Sequence, residues 1–202
     1  MFSNEFIYHF TQIGVFCCWI GFAAVFFLSR RPHASKERKR DRRAVLGVLI
    51  AMVGYAIVWS VRRKEFLLLP QAGTAVGALL SLVALILALS SVWLTGAAVR
   101  HLGKQWAVAA RVLEQHELIT DGPYAIVRNP IYTGMLGMLI ATGLALSEWW
   151  AIILGVVVYL IGTTIRIRVE EKLLKDAFGE KFEAYARTVS AIIPRVSPQK
   201  RG

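Results

Sequence analysis

Two clusters in the second half of the chain have residue types and spacing suited to chemistry. The first runs His116-Glu117-Leu118-Ile119-Thr120-Asp121-Gly122-Pro123-Tyr124 and resumes at Arg128-Asn129-Pro130-Ile131-Tyr132-Thr133-Gly134. Asp121-Gly122-Pro123 is strong turn chemistry, joining a side chain that bonds its own backbone, a residue that accepts positive φ and a ring that fixes φ. Pro130 stands where an apolar helix begins, a position that tolerates proline because the first backbone N–H groups have no intrahelical acceptor. Those N–H groups carry partial positive charge and can hold a carboxylate or a phosphate. Tyr124 and Tyr132 add flat faces for an adenine or a lipid chain, each with a hydroxyl handle. The same composition also suits a plain interfacial loop with aromatic anchors.

The second cluster is Arg166 and Glu170, with Arg168 and Glu171 beside them. Residues four apart share one helix face. One reading is a binding pair, with Arg166 for an anionic group and Glu170 for a cationic or hydroxyl-rich one. The other is a helix-end ion pair, worth about 0.5 kcal/mol when exposed.

The elements that must position these clusters are membrane helices. The chain of 202 residues is 56% hydrophobic, too apolar for an ordinary soluble domain of this length, and its apolar residues come in blocks. Crossing a bilayer core takes roughly 20 helical residues. Five blocks qualify or nearly so: Ile7–Leu28, Ala44–Val61, Ala72–Val99, Ile131–Leu146 and Trp149–Ile165, none with an internal Asp, Glu, Lys or Arg. The last two are short and joined only by Ser147-Glu148, which predicts a tight hairpin. The expected fold is therefore an all-α integral membrane bundle of about five helices. Residues 1–99 form a plain three-helix region, and residues 100–202 form the region that carries chemistry. Small residues recur in the third block (Gly73, Gly77, Ala78, Ser81, Ala84, Ala88), as expected where membrane helices pack closely. From Val169 to Val189 apolar residues return at helical period among charges, which predicts an amphipathic helix continuing from the fifth span.

A net charge of +11 invites a nucleic-acid reading, but loop charge bias accounts for it better. Eight Lys and Arg crowd residues 30–43. With that loop cytoplasmic, alternation puts the N-terminus outside and both 100–130 and 169–202 inside, and only Arg62, Arg63 and Lys64 fall on the far side. The expected location is the cell inner membrane, with the bilayer itself as a partner and no nucleic acid. The basic loop also suits contact with anionic lipid headgroups. The first block lacks a basic leader and a small-residue cleavage site, so a retained anchor is expected. Cys17 and Cys18 have no second pair to complete a metal site and read as packing residues.

Taken together, the motifs resemble a known family. Gly122-Pro123-Tyr124, Arg128-Asn129-Pro130-Ile131-Tyr132-Thr133-Gly134, Glu170-Glu171, Phe178-Gly179-Glu180 with Tyr185, and Ile193-Pro194 follow in the order and spacing of the isoprenylcysteine carboxyl methyltransferases, within the wider group that includes phospholipid N-methyltransferases. The resemblance covers roughly residues 100–196. It implies a membrane methyltransferase using S-adenosylmethionine, bound on the cytoplasmic side. It further implies that His116, Glu117, Leu118 and Ile119, then Tyr124, then Asn129, Pro130, Ile131 and Tyr132, and finally Glu170 hold that cofactor. Arg166 would face the substrate carboxylate, so Arg166 and Glu170 are the candidate catalytic pair. Asn129 departs from the histidine usual in the carboxyl methyltransferases and is similar to the phospholipid N-methyltransferase version. It still donates and accepts hydrogen bonds, but cannot gain a proton.

The residue inventory agrees with such chemistry. Methyl transfer from a sulfonium is an in-line displacement with a neutral leaving group, so alignment and desolvation supply much of the rate. A carboxylate acceptor is ionised at neutral pH and needs no general base; an amine acceptor must be kept deprotonated, a task open to Glu170 or Glu171. An amphiphilic or lipidated small substrate fits a site at the membrane boundary, entered between the fourth and fifth helices. The alternatives are a phospholipid N-methyltransferase, an NADPH-dependent reductase of the membrane sterol type, and a non-enzymatic membrane scaffold.

Overall fold

Backbone in hydrocarbon has no water to bond, so each apolar block closes its hydrogen bonds on itself as a helix. The computed structural model describes residues 4–29, 41–65, 68–69, 73–103 and 118–194. Its helices are α1 (Asn4–Leu28), α2 (Arg42–Ser60), α3 (Gly73–Leu102), α4 (Pro130–Leu146), α5 (Trp149–Phe178) and α6 (Glu180–Thr188). Four of them, α1, α2, α3 and α5, are long and apolar enough to cross a membrane. Helix α4 has 17 residues, or roughly 26 Å at 1.5 Å per residue, and is the short span the sequence predicts. Among the described residues no strand occurs, only the isolated bridges Arg62–Ser147 and Val127–Ser190. The protein is an all-α integral membrane protein.

One expectation needs correction. The amphipathic segment 169–189 is not a single helix: α5 carries the fifth apolar block on to Phe178, and the chain breaks at Gly179 before α6 begins. Gly179 sits at φ +53, a conformation open to glycine and strained for other residues. Its N–H closes α5 on Lys175 O at 2.8 Å. The apolar stripe resumes beyond the break, so its period does not reveal it.

Glycines set the closest helix contact. Helices α2 and α5 run antiparallel, with Gly47 facing Gly162 and Gly54 facing Gly155. A Cβ on Gly54 would lie 2.6 Å from Gly155 O, and one on Gly162 would lie 2.4 Å from the Ala51 nitrogen. Backbone thus meets backbone, the usual way membrane helices gain dispersion contact. Only part of the small-residue stripe of α3 packs internally: Gly77, Ala84 and Ala88 are buried while Gly73 and Ala78 are exposed, and the buried Ser91 and Thr95 fill the space over Gly137 and Gly134 of α4. Val15 and Phe22 of α1 close a core with Ala88, Met138 and Ala141.

Polar bonds tie the helix ends. Thr74 Oγ1 donates to Asn4 Oδ1 at 2.8 Å. The Arg63 guanidinium donates to Leu144 O at 2.7 Å and Ala145 O at 2.9 Å, and its N–H donates to Leu146 O at 3.1 Å. The final carbonyls of a helix lack intrahelical donors, and Arg63 supplies them for α4. The start of α1, the residues just after α2, the start of α3 and the α4–α5 turn therefore share one end of the bundle. The start of α4 and the charged part of α5 lie at the other.

Candidate functional site

The turn ahead of α4 forms as its residues dictate. Gly122–Ala125 make a 3-10 turn with Pro123 and Tyr124 buried. Asn129 is the residue before α4, and Pro130 takes the first helical position. The start of α4 is held to α5 by Tyr159, whose hydroxyl donates to Tyr132 O at 2.9 Å.

Tyr132 then reaches the second cluster. Its hydroxyl donates to Glu170 Oε1 at 2.7 Å, and Arg166 Nε donates to the same oxygen at 2.9 Å. The Arg166 guanidinium lies 5.4 Å from the Tyr132 ring centroid. Arg166 and Glu170 do pair along the helix, as the bland reading requires, but their side chains are only 19% and 21% exposed. A surface ion pair this is not: a phenol from another helix shares the carboxylate. Charge-assisted bonds of this kind are roughly twice as strong as neutral ones.

Beside this trio opens a mostly apolar pocket lined by Leu102, Leu118, Ile119, Tyr124, Arg128, Asn129, Glu171, Leu174, Phe182 and Tyr185. Its walls come from the end of α3, the turn before α4, the charged part of α5, and α6. Tyr185 donates to Tyr124 O at 2.6 Å, joining α6 to the turn. Burial raises the Tyr124 phenol above its ordinary value, with Tyr185 and Glu170 adding to the rise, so it stays a neutral hydrogen-bond donor at physiological pH. Burial likewise pushes the Tyr185 phenol up to about 12. Lys175 and Glu183 pair at 2.7 Å across the Gly179 break, outside the pocket.

The structure brings together Leu118, Ile119, Tyr124 and Asn129 at one pocket. Pro130, Ile131 and Tyr132 form the first turn of α4, and only Tyr132 of these reaches Glu170. Glu171 stands in the pocket wall, whereas its chain neighbour Glu170 and the Arg166 bonded to it are not among the lining residues. His116 and Glu117 lie outside the described residues. Asn129 does not use its side chain to cap α4; its amide Nδ2 donates to Ala191 O at 3.1 Å. Leu102, Arg128, Leu174, Phe182 and Tyr185 also line the pocket without having been singled out as site residues. For Phe182 and Tyr185 the apolar stripe was a usable signal; for Arg128, adjacency to Asn129-Pro130 was.

Aromatic and aliphatic walls could hold an adenine, and carboxylate oxygens at one side could accept from ribose hydroxyls and an ammonium group, as S-adenosylmethionine would need. No His, Cys, Asp and Glu grouping suited to a metal occurs among the described residues.

A membrane helical bundle with a polar-edged pocket at one end of its last two spans defines the class. Comparison with known proteins narrows it. The family model described as phospholipid methyltransferase matches residues 72–181, more than half of the chain, and the chain belongs to that family. A protein-S-isoprenylcysteine O-methyltransferase of Schizosaccharomyces pombe is 34% identical over 89 residues, 44% of this chain and 38% of that protein. Protein-S-isoprenylcysteine O-methyltransferase B of Arabidopsis thaliana is 36% identical over 84 residues, 42% of this chain and 43% of that protein. The cobalt-zinc-cadmium resistance protein CzcN of Cupriavidus metallidurans is 32% identical over 105 residues, 50% of this chain and 47% of that protein. The matched region spans less than half the length of each of these relatives.

Proposed function

We propose that this protein transfers a methyl group from S-adenosylmethionine to an amphiphilic acceptor at the membrane surface, with carboxylate O-methylation of the isoprenylcysteine type as the reaction. The observation that carries the reading is the meeting of Tyr124, Asn129, Tyr132, Glu170 and Glu171 around one end of the α4–α5 pair. Two segments some forty residues apart in sequence converge there, and both belong to the family's matched region.

The bound cofactor supplies an electrophilic methyl on a sulfonium, which a carboxylate can attack without a base. The chain's residues do the positioning. Tyr124 offers a face and a neutral hydroxyl, Glu170 and Glu171, each already paired with an arginine, offer acceptor oxygens to hydroxyl and ammonium groups, and Leu118, Ile119, Leu174 and Phe182 exclude water. Arg166, already beside Glu170, would orient the acceptor carboxylate. In-line displacement gains most from such alignment in a dry site. Residues 100–202 form the catalytic region in this reading, and the acceptor's hydrocarbon tail remains in lipid beside α4 and α5. Loop charge bias supports an outside N-terminus and a cytoplasmic C-terminus, hence a cytoplasmic pocket, in the cell inner membrane.

Purified protein in detergent should bind S-adenosylmethionine, and Glu170→Ala and Tyr124→Ala should each weaken that binding. Wild-type protein indifferent to millimolar cofactor would end the reading. A second reading, N-methylation of a lipid amine, is favoured by one observation: Asn129 stands where the carboxyl methyltransferases carry histidine. Comparing a prenylated cysteine with a phospholipid amine as acceptor separates the two.

A further inference from the structure

The pocket has one wall with no membrane span behind it. Helix α6 and the residues after it, 189–192, are held against the rest of the site by bonds that converge on a short stretch, Arg128 to Thr133. The N–H groups of Arg128 and Asn129 donate to Ser190 O at 2.8 Å and Ala191 O at 3.0 Å. Thr133 Oγ1 donates to Ile192 O at 2.7 Å. The Arg128 guanidinium contributes most: Nη1 donates to Ala186 O at 3.0 Å and to Val189 O, while Nε donates to Glu171 Oε1 at 2.8 Å. One side chain, 13% exposed, thus joins the turn before α4, the charged part of α5 and the carbonyl end of α6.

We infer that Arg128 is a positioning residue which sets the closed position of the α6 wall, and that cofactor affinity is read through it. The inference rests on the proposed methyltransferase function and extends it from the residues that line the pocket to the clasp that shapes it. Arginine suits the task because its planar fork presents donors in fixed, different directions; a lysine ammonium keeps the charge but cannot span three partners with that geometry. Phe182 and Tyr185 reach the pocket from α6, so a wall that swings from Gly179 takes both away from a ligand. Linkage then requires reciprocity: if closure favours the cofactor, the cofactor favours closure.

The test uses the full chain in detergent, with Arg128→Lys as the main variant and, as a second that leaves the arginine in place, Thr133→Val, which removes the bond to Ile192 O from outside the pocket lining. Hydrogen exchange at the amides of residues 128 and 129 reports the clasp directly, since those N–H groups bond to the 190 and 191 carbonyls. Exchange there should speed up in Arg128→Lys without ligand, and S-adenosylmethionine should slow it in wild type. KM for S-adenosylmethionine should rise roughly tenfold or more in Arg128→Lys, the scale of a coupling energy near 1.4 kcal/mol, with kcat at saturating cofactor within about twofold. A merely structural role predicts less folded enzyme with unchanged KM. Unchanged KM in both variants overturns the inference while wild-type binding leaves the function standing. If wild type binds no cofactor, the function fails, and unaltered exchange at 128 and 129 in Arg128→Lys overturns the clasp on its own.

Discussion

Tyr132 of α4 and Glu170 of α5 share a hydrogen bond of 2.7 Å, and through it the entrance of one membrane helix is fixed against the exit of the next. Tyr132→Phe removes that donor and keeps the ring, leaving Glu170 with Arg166. A hydrogen bond to a charged group contributes about 1.5–3 kcal/mol. Cofactor affinity should therefore fall about tenfold or more, measured by equilibrium dialysis of the detergent-solubilised protein. An unchanged Kd would show that Glu170 needs no help from α4.

The glycine contact between α2 and α5 gives a stability prediction with an internal control. Gly162→Ala forces a Cβ to within 2.4 Å of backbone in α2, so the helices must separate, at a cost of about 1–3 kcal/mol for overpacking. Gly21→Ala places its Cβ 3.6 Å from Val92 Cγ1, ordinary contact, and should leave thermal stability near wild type. Thermal unfolding monitored by circular dichroism distinguishes the pair. Equal midpoints would mean α2 and α5 are not held as described.

Arg63 offers a third. Its guanidinium satisfies two carbonyls at the end of α4 and stacks 4.9 Å from the Tyr8 ring centroid. Arg63→Met keeps the hydrocarbon stem and removes the donors, so stability should drop by about 3 kcal/mol. Catalysis should suffer only in proportion to protein lost, because the residue lies at the opposite end of the bundle from the pocket. Thermal midpoint and kcat per folded molecule are the two readings.

A pH effect follows from Tyr185. Its phenol is raised by burial from 10.0 to about 12, so the folded state prefers the protonated form. The stability tied to this preference is complete below pH 10 and disappears as pH climbs through 12. Tyr185→Phe lacks the titrating group and the bond to Tyr124 O, so it should be less stable than wild type at neutral pH by about 1 kcal/mol. The gap between the two proteins should narrow between pH 10 and 12. A gap that stays constant would mean Tyr185 ionises as freely in the folded protein as in the unfolded chain.

Much of this architecture was readable from residue order. Uncharged blocks of membrane length define the helices because no other backbone arrangement satisfies itself in lipid. Pro130 marks the start of α4 because proline fits the first helical position and few others. The three basic residues at odds with the loop charge bias were legible only as an exception; the bond from Arg63 to the end of α4 supplies a reason for one of them. The break at Gly179 was hidden because glycine permits a turn without requiring one.

The division of labour between Glu170 and Glu171 marks the boundary. The amino-acid order alone places two carboxylates in succession on a helix beside an arginine, and neighbours on a helix point about 100° apart. Which of them meets Tyr132 and Arg166, and which meets Arg128 in the pocket wall, depends on the rotation of α5 about its axis. That rotation is set by Gly155 and Gly162 seating on α2, about a hundred residues earlier in the chain. Local pattern determines that a helix forms and which residues it carries; long-range packing alone determines where each of them points.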